Sequence, residues 1–328
     1  MQAPVLFLTC LMTVASALHA GPPPAEKGCV RFAPIDDQRE VPERYRLDAH
    51  TFSYDLSFKS HLVNSGVDVF ELRFPSAVKS DWVENNTVYA EYYRPPRAGR
   101  IPGTVILDIT AGDQRVSRMI AQHLAQNGIA GLCVHMPYYG PRRPPGSRLR
   151  MVSADFELTM AAVRQAVLDI RRAGAWLASR PEIDADRLGI LGTSLGSFMG
   201  ALTAEMEPRF KRVVVLLGGG GLVDAYYGDS RALAIRETWE AFGGTKEKLQ
   251  ELVAPADPLT YAANLKSRQL LIIAGKRDSI VPPQMPERLW KATGRQKIVW
   301  FDCDHFGAVL YFLPAMKHVI EQFTAAPR

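Results

Sequence analysis

The chain has 328 residues, of which 47% are hydrophobic and 22% are charged, a composition typical of a soluble protein with a sizeable core. Its 25 glycines and 23 prolines are near average usage, which excludes collagen-like and low-complexity chains. The net charge of +5 is spread along the chain, and no basic run is interleaved with aromatic residues. Nucleic acid is therefore not expected as a partner, and the arginines at 142–150 are expected on a solvated loop rather than an anion-binding rim.

An apolar run lies near the amino terminus, at positions 5–18. It is too short to span a bilayer as a helix, and small residues mark its end, with Ala17 and then Ala20. This pattern predicts a secretory signal peptide over residues 1–20, cleaved after Ala17 or Ala20. We therefore expect an exported protein, periplasmic or secreted, whose mature chain is not inserted in a membrane.

Cleavage would remove Cys10 and leave three cysteines, Cys29, Cys133 and Cys303. An odd number permits at most one disulfide. Cys133 lies inside an apolar run and is expected to be buried, whereas a Cys29–Cys303 bridge stays open as an alternative in an oxidising compartment. None of the three has a partner at metal-ligand spacing.

The hydrophobic pattern changes character along the chain. Residues 21–50 are Pro-rich and charged and are expected to form an irregular lead-in. Of the strands expected next, at 51–60, 67–74 and 87–94, the last two alternate polar and apolar residues, as strands at an antiparallel edge do. From 104 onwards, short apolar runs alternate with helical stretches, which predicts a parallel sheet covered by helices. These later strands are expected at 104–109, 129–135, 187–191, 212–217, 270–274 and 297–301.

The sequence thus predicts an α/β fold over residues 51–328, with about eight mostly parallel strands and helices on both faces. The main helices are expected at 113–127, 154–179, directly after Ser194, and at 308–323, where Pro314 should kink or split the helix. A small insertion at 222–265, after the sixth strand, interrupts the alternation. It could form a cap over the strand ends or ordinary surface helices.

The pentapeptide Gly-Thr-Ser-Leu-Gly at 192–196 has the pattern G-x-S-x-G between an apolar strand and a helix. This is the context of a nucleophile elbow, a sharp turn that exposes a serine hydroxyl at the carboxyl edge of the sheet. Ser194 is therefore the candidate nucleophile. The backbone N–H of Leu195, at the start of the helix, is a candidate donor to a developing oxyanion.

A serine hydroxyl needs a base, and the base needs a carboxylate to hold its tautomer. Asp278 and His305 follow two later strands, in the order Ser, Asp, His that this architecture uses. All three residues should converge, because the carboxyl ends of parallel strands share one edge of the sheet. Asp302 and Asp304 are rival carboxylates, but they lie too close to His305 in sequence to orient it from a separate strand.

These motifs, GTSLG, GKRDSIVP and DHFG, resemble those of the α/β-hydrolase superfamily, and the resemblance covers about residues 51–323. The segment 181–187 is similar to that of the dienelactone-hydrolase-like and acetyl-esterase-like branch. The resemblance implies a serine esterase or a related hydrolase, without a metal or an organic cofactor. Where many relatives have His-Gly, this chain has LDITAGD at 107–113. The alignment of that motif makes Ala111 the second oxyanion donor, with Thr110 as the alternative.

Three further candidates lie at or just after the end of the strand at 129–135. His135 is a weaker candidate for the substrate side of the site, and Tyr138 and Tyr139 are candidates for the substrate pocket or for loop packing. The expected function is hydrolysis of short-chain carboxylic esters through an acyl-enzyme, with a small-molecule ester as the partner. The alternatives are an acyltransferase that uses the same triad and a non-catalytic scaffold.

Overall fold

The computed structural model describes residues 23–325, in which ten strands form one sheet in the order β1-β2-β3-β4-β6-β5-β7-β8-β9-β10. The strands are β1 Glu26–Phe32, β2 His50–Leu62, β3 Val67–Pro75, β4 Thr87–Arg94, β5 Ile101–Leu107, β6 Ala130–Val134, β7 Ile183–Thr193, β8 Arg212–Leu216, β9 Gln269–Gly275 and β10 Lys297–Phe301. The helices are α1 Arg115–Gln126, α2 Phe156–Ala178, α3 Leu195–Met206, α4 Leu222–Tyr226, α5 Leu233–Ala241, α6 Lys246–Val253, α7 Pro258–Tyr261, α8 Gln284–Ala292 and α9 Phe312–Thr324.

The sheet has an antiparallel half and a parallel half. Strands β1 to β4 pair antiparallel, and β4 joins β6 antiparallel as well. The strands from β6 to the β10 edge all pair parallel. Every strand predicted from the sequence is present, but the sheet reaches ten strands rather than about eight.

The additional strand corrects the expectation of an irregular lead-in at 21–50. Residues Glu26–Phe32 pair with β2, and Val30 and Phe32 are buried. Phe32 packs beneath the guanidinium groups of Arg171 and Arg209. The charged residues in this stretch obscure the hydrophobic pattern that would predict a strand. Which of its side chains are buried depends on contacts with elements distant in sequence.

The strand order places the site at a topological switch point. After β5 the chain forms β6 on one side of β5, and it then returns to form β7 on the other side. Strands β5 and β7 pair parallel with Leu107 opposite Gly192. The loops that follow these two strands therefore leave the sheet side by side, which is where open α/β sheets hold their ligands.

Two apolar layers cover the sheet. In β8, Val213 and Val215 face the layer that contains α2 and α3, whereas Val214 and Leu216 face the layer that contains α1 and α9. This alternation follows from the two-residue period of a strand. Pro314 lies in the first turn of α9, where a helix tolerates proline, and a 3₁₀ helix, Gly307–Tyr311, precedes it. The predicted split of the last helix is thus at residue 312.

The insertion at 222–265 forms short surface helices, α4 to α7. It follows β8 and not the sixth strand as expected. Its first helix packs beside the loop after β9, where the Tyr226 hydroxyl donates to the Ile280 carbonyl. The insertion therefore borders the loop after β9, which contains Asp278.

A buried ion pair ties the loops around β4 and β6 to helix α2. Arg142 and Asp169 are both fully buried, with Nη2 of Arg142 2.7 Å from Oδ2 of Asp169. Arg142 also donates to the carbonyls of Asn85 and His135, and Asp169 accepts from the backbone N–H of Ala77. Arg142 therefore does not belong to a solvated loop, and the expectation for 142–150 is wrong at this residue.

The three described cysteines are free thiols, so the open Cys29–Cys303 alternative is not realised. Cys29 lies in β1 at one edge of the sheet, and Cys303 follows β10 at the opposite edge. Two sulfur atoms cannot bridge across ten strands, because a disulfide requires Cα atoms within about 7 Å. Cys133 is buried in β6 as predicted.

The predicted signal peptide lies outside the described residues and stays a prediction. Between residues 23 and 325, the structure contains no helix with the length and hydropathy needed to cross a membrane.

We predict that Asp169→Asn lowers the free energy of unfolding by about 3 kcal/mol or more, because it leaves the buried Arg142 charge without its counter-ion. The matched control is Asp302→Asn, which breaks the Arg277–Asp302 pair, whose side chains are 67% and 68% exposed. That change should cost less than about 1 kcal/mol. Urea unfolding measures both values, and equal losses in the two variants would contradict the assignment.

Candidate active site

Ser194 lies at a strained turn between β7 and α3. Its backbone has φ 51° and ψ −119°, a conformation that non-glycine residues rarely adopt. Its backbone N–H donates to the Leu216 carbonyl over 2.9 Å. Its carbonyl accepts from the Ser197 hydroxyl over 2.6 Å. These two bonds hold the turn, so the predicted nucleophile elbow is present.

The two glycines of the elbow are required by backbone contacts. A Cβ on Gly192 would lie 2.0 Å from the Gly196 oxygen, and a Cβ on Gly196 would lie 2.4 Å from the Leu107 oxygen. Both neighbours are backbone atoms that cannot rotate away. The G-x-S-x-G pattern is therefore a packing requirement where α3 crosses the ends of β5 and β7.

The structure brings the three predicted side chains together. Nε2 of His305 is 3.1 Å from the Ser194 Oγ, and Nδ1 of His305 is 2.7 Å from Oδ2 of Asp278. With its proton on Nδ1, the imidazole donates to Asp278 and accepts from the serine hydroxyl, so one tautomer satisfies both bonds. This is the geometry of an activated serine nucleophile.

Asp278 is held rigidly in the loop after β9. Its side chain is buried, and its Oδ1 accepts the backbone N–H groups of Ile280 and Val281, each over 2.8 Å. The rival Asp302 instead pairs with Arg277, and the rival Asp304 accepts from the Gly307 N–H. Among the three candidate carboxylates, Asp278 is therefore the one bonded to His305.

The candidate oxyanion donors lie on both sides of Ser194. Leu195 is the first residue of α3, where backbone N–H groups have no partner within the helix. Thr110 and Ala111 lie in the turn after β5, and both line the cavity that contains Ser194. Thr110 and Ala111, the two candidate donors in the turn after β5, therefore both line the same cavity as Ser194.

A residue that the sequence analysis missed organises this turn. Asp108 is fully buried, and its carboxylate accepts the backbone N–H groups of Gln114 and Ser117 and the Ser117 hydroxyl. Burial raises the pKa of Asp108, while these hydrogen bonds oppose the shift. Asp108 lies in the segment LDITAGD, which lacks the His-Gly of many relatives, and that departure was the available signal.

Ser194 opens into a cavity of about 490 Å³. Among the described residues, its polar lining side chains are Thr110, Thr193, Ser194, Cys303 and His305, and the others are aliphatic, aromatic or methionine. It extends between the strand ends and the helices α1 and α9, reaching Ile120 and Met316. The cavity is therefore an apolar space with the nucleophile on its wall.

Tyr138 and Tyr139 lie outside the lining of this cavity. The Tyr138 N–H donates to Asn85 Oδ1, and the Tyr139 ring packs so closely on Gly112 that a Cβ there would be 2.1 Å from Cδ1 of the ring. Both side chains are buried. The structure gives them the loop-packing role, which corrects their proposed place in the substrate pocket.

His135 also lies outside the Ser194 cavity and lines a separate polar cavity with Lys59, Glu91 and Arg118. Burial lowers the pKa of His135 to about 4, the nearby Glu91 raises it, and the positive charges of Arg118, Arg142 and Lys59 lower it further. Within residues 23–325, no three or more His, Cys, Asp or Glu side chains are grouped so that they could hold a metal ion.

Comparisons with known proteins agree with this fold. The family model described as prolyl oligopeptidase family, Peptidase_S9, matches residues 160–304. The model described as alpha/beta hydrolase domain containing 18 matches residues 83–226. Acetyl xylan esterase 1 from Thermoanaerobacterium sp. JW/SL YS485 superposes with a TM-score of 0.65 at 20% identity, covering 83% of this chain and 88% of that chain.

Two curated relatives match about half of this chain. An uncharacterised protein of Mycobacterium tuberculosis is 27% identical over 176 residues, covering 52% of this chain and 41% of that protein. The uncharacterised peptidase YuxL of Bacillus subtilis is 29% identical over 179 residues, covering 52% of this chain and 24% of that protein. The chain thus spans less than half the length of these curated relatives.

The chain has the α/β-hydrolase fold, and its sequence and structure are similar to those of α/β hydrolases. Ser194, Asp278 and His305 are arranged as in a serine hydrolase.

We predict opposite effects for two glycine substitutions in α3. Gly196→Ala should destabilise the protein by at least about 2 kcal/mol, because the new Cβ meets a backbone oxygen. At Gly200, the nearest atom to a Cβ is Ile190 Cγ1 at 3.6 Å, an ordinary contact. Gly200→Ala should therefore be neutral or stabilise the helix by up to about 1 kcal/mol. Thermal and urea unfolding measure both, and a tolerated Gly196→Ala would contradict the packing argument.

The pKa of His135 predicts a pH dependence of stability. Below about pH 6.5 the unfolded chain binds a proton that the folded protein accepts only near pH 4, so folding stability falls as the pH drops through this window. The full effect is about 3 kcal/mol. In a His135→Gln variant, the free energy of unfolding should fall less between pH 7 and pH 4. Parallel pH profiles for the wild type and the variant would exclude this role of His135.

Proposed function

We propose that the protein hydrolyses carboxylic esters through an acyl-enzyme, with Ser194 as nucleophile, His305 as general base and acid, and Asp278 as the residue that orients His305. The observation that carries the proposal is the unbroken hydrogen-bond chain from Asp278 through His305 to Ser194. Such a chain removes a proton from a hydroxyl that is otherwise a weak nucleophile.

The reaction proceeds in two halves. The Ser194 Oγ forms a bond to the ester carbonyl carbon while its proton passes to Nε2 of His305. The tetrahedral intermediate then breaks its bond to the alcohol, which leaves with the proton from His305. In the second half, water donates a proton to His305 and attacks the acyl carbon. The bond between the acyl carbon and Ser194 Oγ then breaks, His305 returns the proton to Oγ, and the carboxylic acid is released.

The negative oxygen of each intermediate requires donors that are already in place. In this proposal the Leu195 N–H and the Ala111 N–H provide them, with Thr110 as the alternative to Ala111. The start of α3 also contributes the positive end of its dipole. Removing one such donor typically costs about 100-fold or more in turnover.

Peptide hydrolysis is the second candidate function, because the Peptidase_S9 model matches residues 160–304, which contain Ser194 and Asp278 and end one residue before His305. The same triad could also transfer the acyl group to an acceptor alcohol, as the acyltransferase alternative requires. The expected preference for short acyl groups is less well supported, because the cavity beside Ser194 is far larger than an acetyl group needs.

We predict that Ser194→Ala lowers kcat for p-nitrophenyl esters by roughly 10⁴-fold to 10⁶-fold, because the nucleophile is lost. Asp278→Asn should lower kcat by about 10⁴-fold by favouring the wrong tautomer of His305. Ser267→Ala and Asp304→Asn are matched controls on exposed residues, and both should keep activity near the wild-type level.

Three results would redirect the proposal. Activity retained in Ser194→Ala would exclude this serine as the nucleophile, and a crippled Asp304→Asn with an active Asp278→Asn would reassign the acid. Serine-dependent release of p-nitroaniline from peptide substrates, without ester hydrolysis, would favour the peptidase. A transfer product formed with an added alcohol at the expense of free acid would favour the acyltransferase.

A further inference from the structure

The size of the cavity beside Ser194 indicates how large the acyl group of the substrate ester can be. Its volume of about 490 Å³ lies within the range of about 300 to 1,000 Å³ that encloses a drug-sized ligand. An acetyl group would leave most of this space empty. The cavity also runs inward, between α1 and α9, instead of lying flat along the surface.

The lining limits the chemistry of whatever enters. No Asp, Glu, Lys or Arg side chain of the described chain lines the cavity. A sugar, or an acyl chain that carries a charged group, would lose its hydration there and gain few hydrogen-bond partners. A hydrocarbon chain gains on entry, since each buried methylene strengthens binding about fourfold.

Large exposed apolar side chains also lie in the segment that forms one wall of the cavity. Phe306, Val309, Leu310 and Leu313, which we call the apolar lip, are 78%, 63%, 84% and 65% exposed. Phe306 and Val309 line the cavity as well, so the lip continues its wall into solvent. The lip directly follows His305 in sequence. Clustered exposure of this kind marks an interaction site, whereas single exposed apolar residues do not.

The surroundings of the lip indicate what it meets. In the described structure no residue of the insertion 222–265 lines the cavity, so this segment does not cover it. Lys317 lies one helical turn beyond Leu313 on α9, is exposed, and forms no ion pair with the described residues. An ammonium group beside an apolar surface can pair with the phosphate of a lipid headgroup while the apolar surface contacts the hydrocarbon layer.

We propose that the substrates are esters of long-chain fatty acids in a lipid surface, with the apolar lip resting on that surface and the acyl chain lying in the cavity. This inference rests on the proposed ester hydrolysis at Ser194 and adds the substrate class. The chain leaves the lipid along Phe306 and Val309, so it passes from one apolar environment to another without crossing water.

The acyl chain is tested by narrowing the cavity. Ala315 is partly buried on α9 and lines the cavity. Ala315→Phe should lower the ratio of kcat/KM for p-nitrophenyl dodecanoate to kcat/KM for the acetate ester at least 10-fold, because the added ring takes space that the long chain needs and the acetyl group does not. Ala241→Phe, on the exposed end of α5, is the matched control and should change neither value.

The lip is tested with a second pair of variants in the full chain. Leu310→Gln with Leu313→Gln should lower the ratio of dodecanoate hydrolysis in phosphatidylcholine–phosphatidylglycerol vesicles to acetate hydrolysis in solution about 10-fold or more. The control, Val63→Gln with Phe242→Gln, removes two residues that are 79% and 88% exposed elsewhere. It should leave vesicle hydrolysis at the wild-type rate. Every variant keeps residues 1–22, so any contribution of that apolar segment is constant.

The outcomes separate this inference from the proposed function. If the wild type hydrolyses acetate esters through Ser194 but not dodecanoate, the function stands and the acyl-chain inference is wrong. If no ester is hydrolysed, calorimetric titration of Ser194→Ala with dodecanoic acid still decides, since binding that Ala315→Phe weakens supports the cavity's role and absent binding overturns it. A lip variant that shifts the protein from dimer to monomer with vesicle hydrolysis unchanged would assign the lip to a contact between two copies.

Discussion

The candidate site depends on the close approach of two backbone segments. The Gly196 Cα lies so near the end of β5 that no Cβ fits between it and the Leu107 carbonyl. This contact fixes the start of α3 against the turn after β5, while the β5–β7 register sets Leu107 opposite Gly192. The nucleophile and the candidate oxyanion donors are therefore positioned by main-chain packing, which side-chain motion cannot relax.

The loops around this contact are stabilised in different ways. Asp108 holds the turn after β5 by accepting the N–H groups that begin α1, which orients the backbone near Thr110 and Ala111. Asp278 holds its own loop by accepting two backbone N–H groups, and its second oxygen is left for His305. In both cases a buried carboxylate is satisfied by backbone donors, so the charge is tolerated and the loop becomes rigid.

The two faces of the sheet differ in chemistry. On the face of α2, two buried ion pairs connect this helix to segments distant in sequence. Arg142–Asp169 connects it to the loop after β6, and Arg171–Glu207 connects it to the end of α3. On the face of α1 and α9, the apolar layer opens into the cavity beside Ser194. The Phe306 ring contacts the His305 ring edge-on at 5.7 Å. Whatever covers the apolar lip therefore also touches the neighbour of His305, the proposed general base.

The sequence by itself determined the elements that carry the site. Strand and helix periods are local, and the carboxyl ends of parallel strands must share an edge, so Ser194, Asp278 and His305 could be placed together without coordinates. The same reasoning identified the elbow, the split near Pro314 and the burial of Cys133.

Only the tertiary structure decided the features that depend on distant partners. Charged residues hid β1 because its cover comes from α2, and Arg142 looked solvated because Asp169 and Asn85 approach it from other elements. Tyr138 and Tyr139 follow a strand at the active edge, yet their rings turn into loop packing. The volume beside Ser194 is enclosed by α1, α9 and the ends of β8 and β9, which lie far apart in the chain. Local patterns carry no information about that enclosure, because it arises from how separate elements pack.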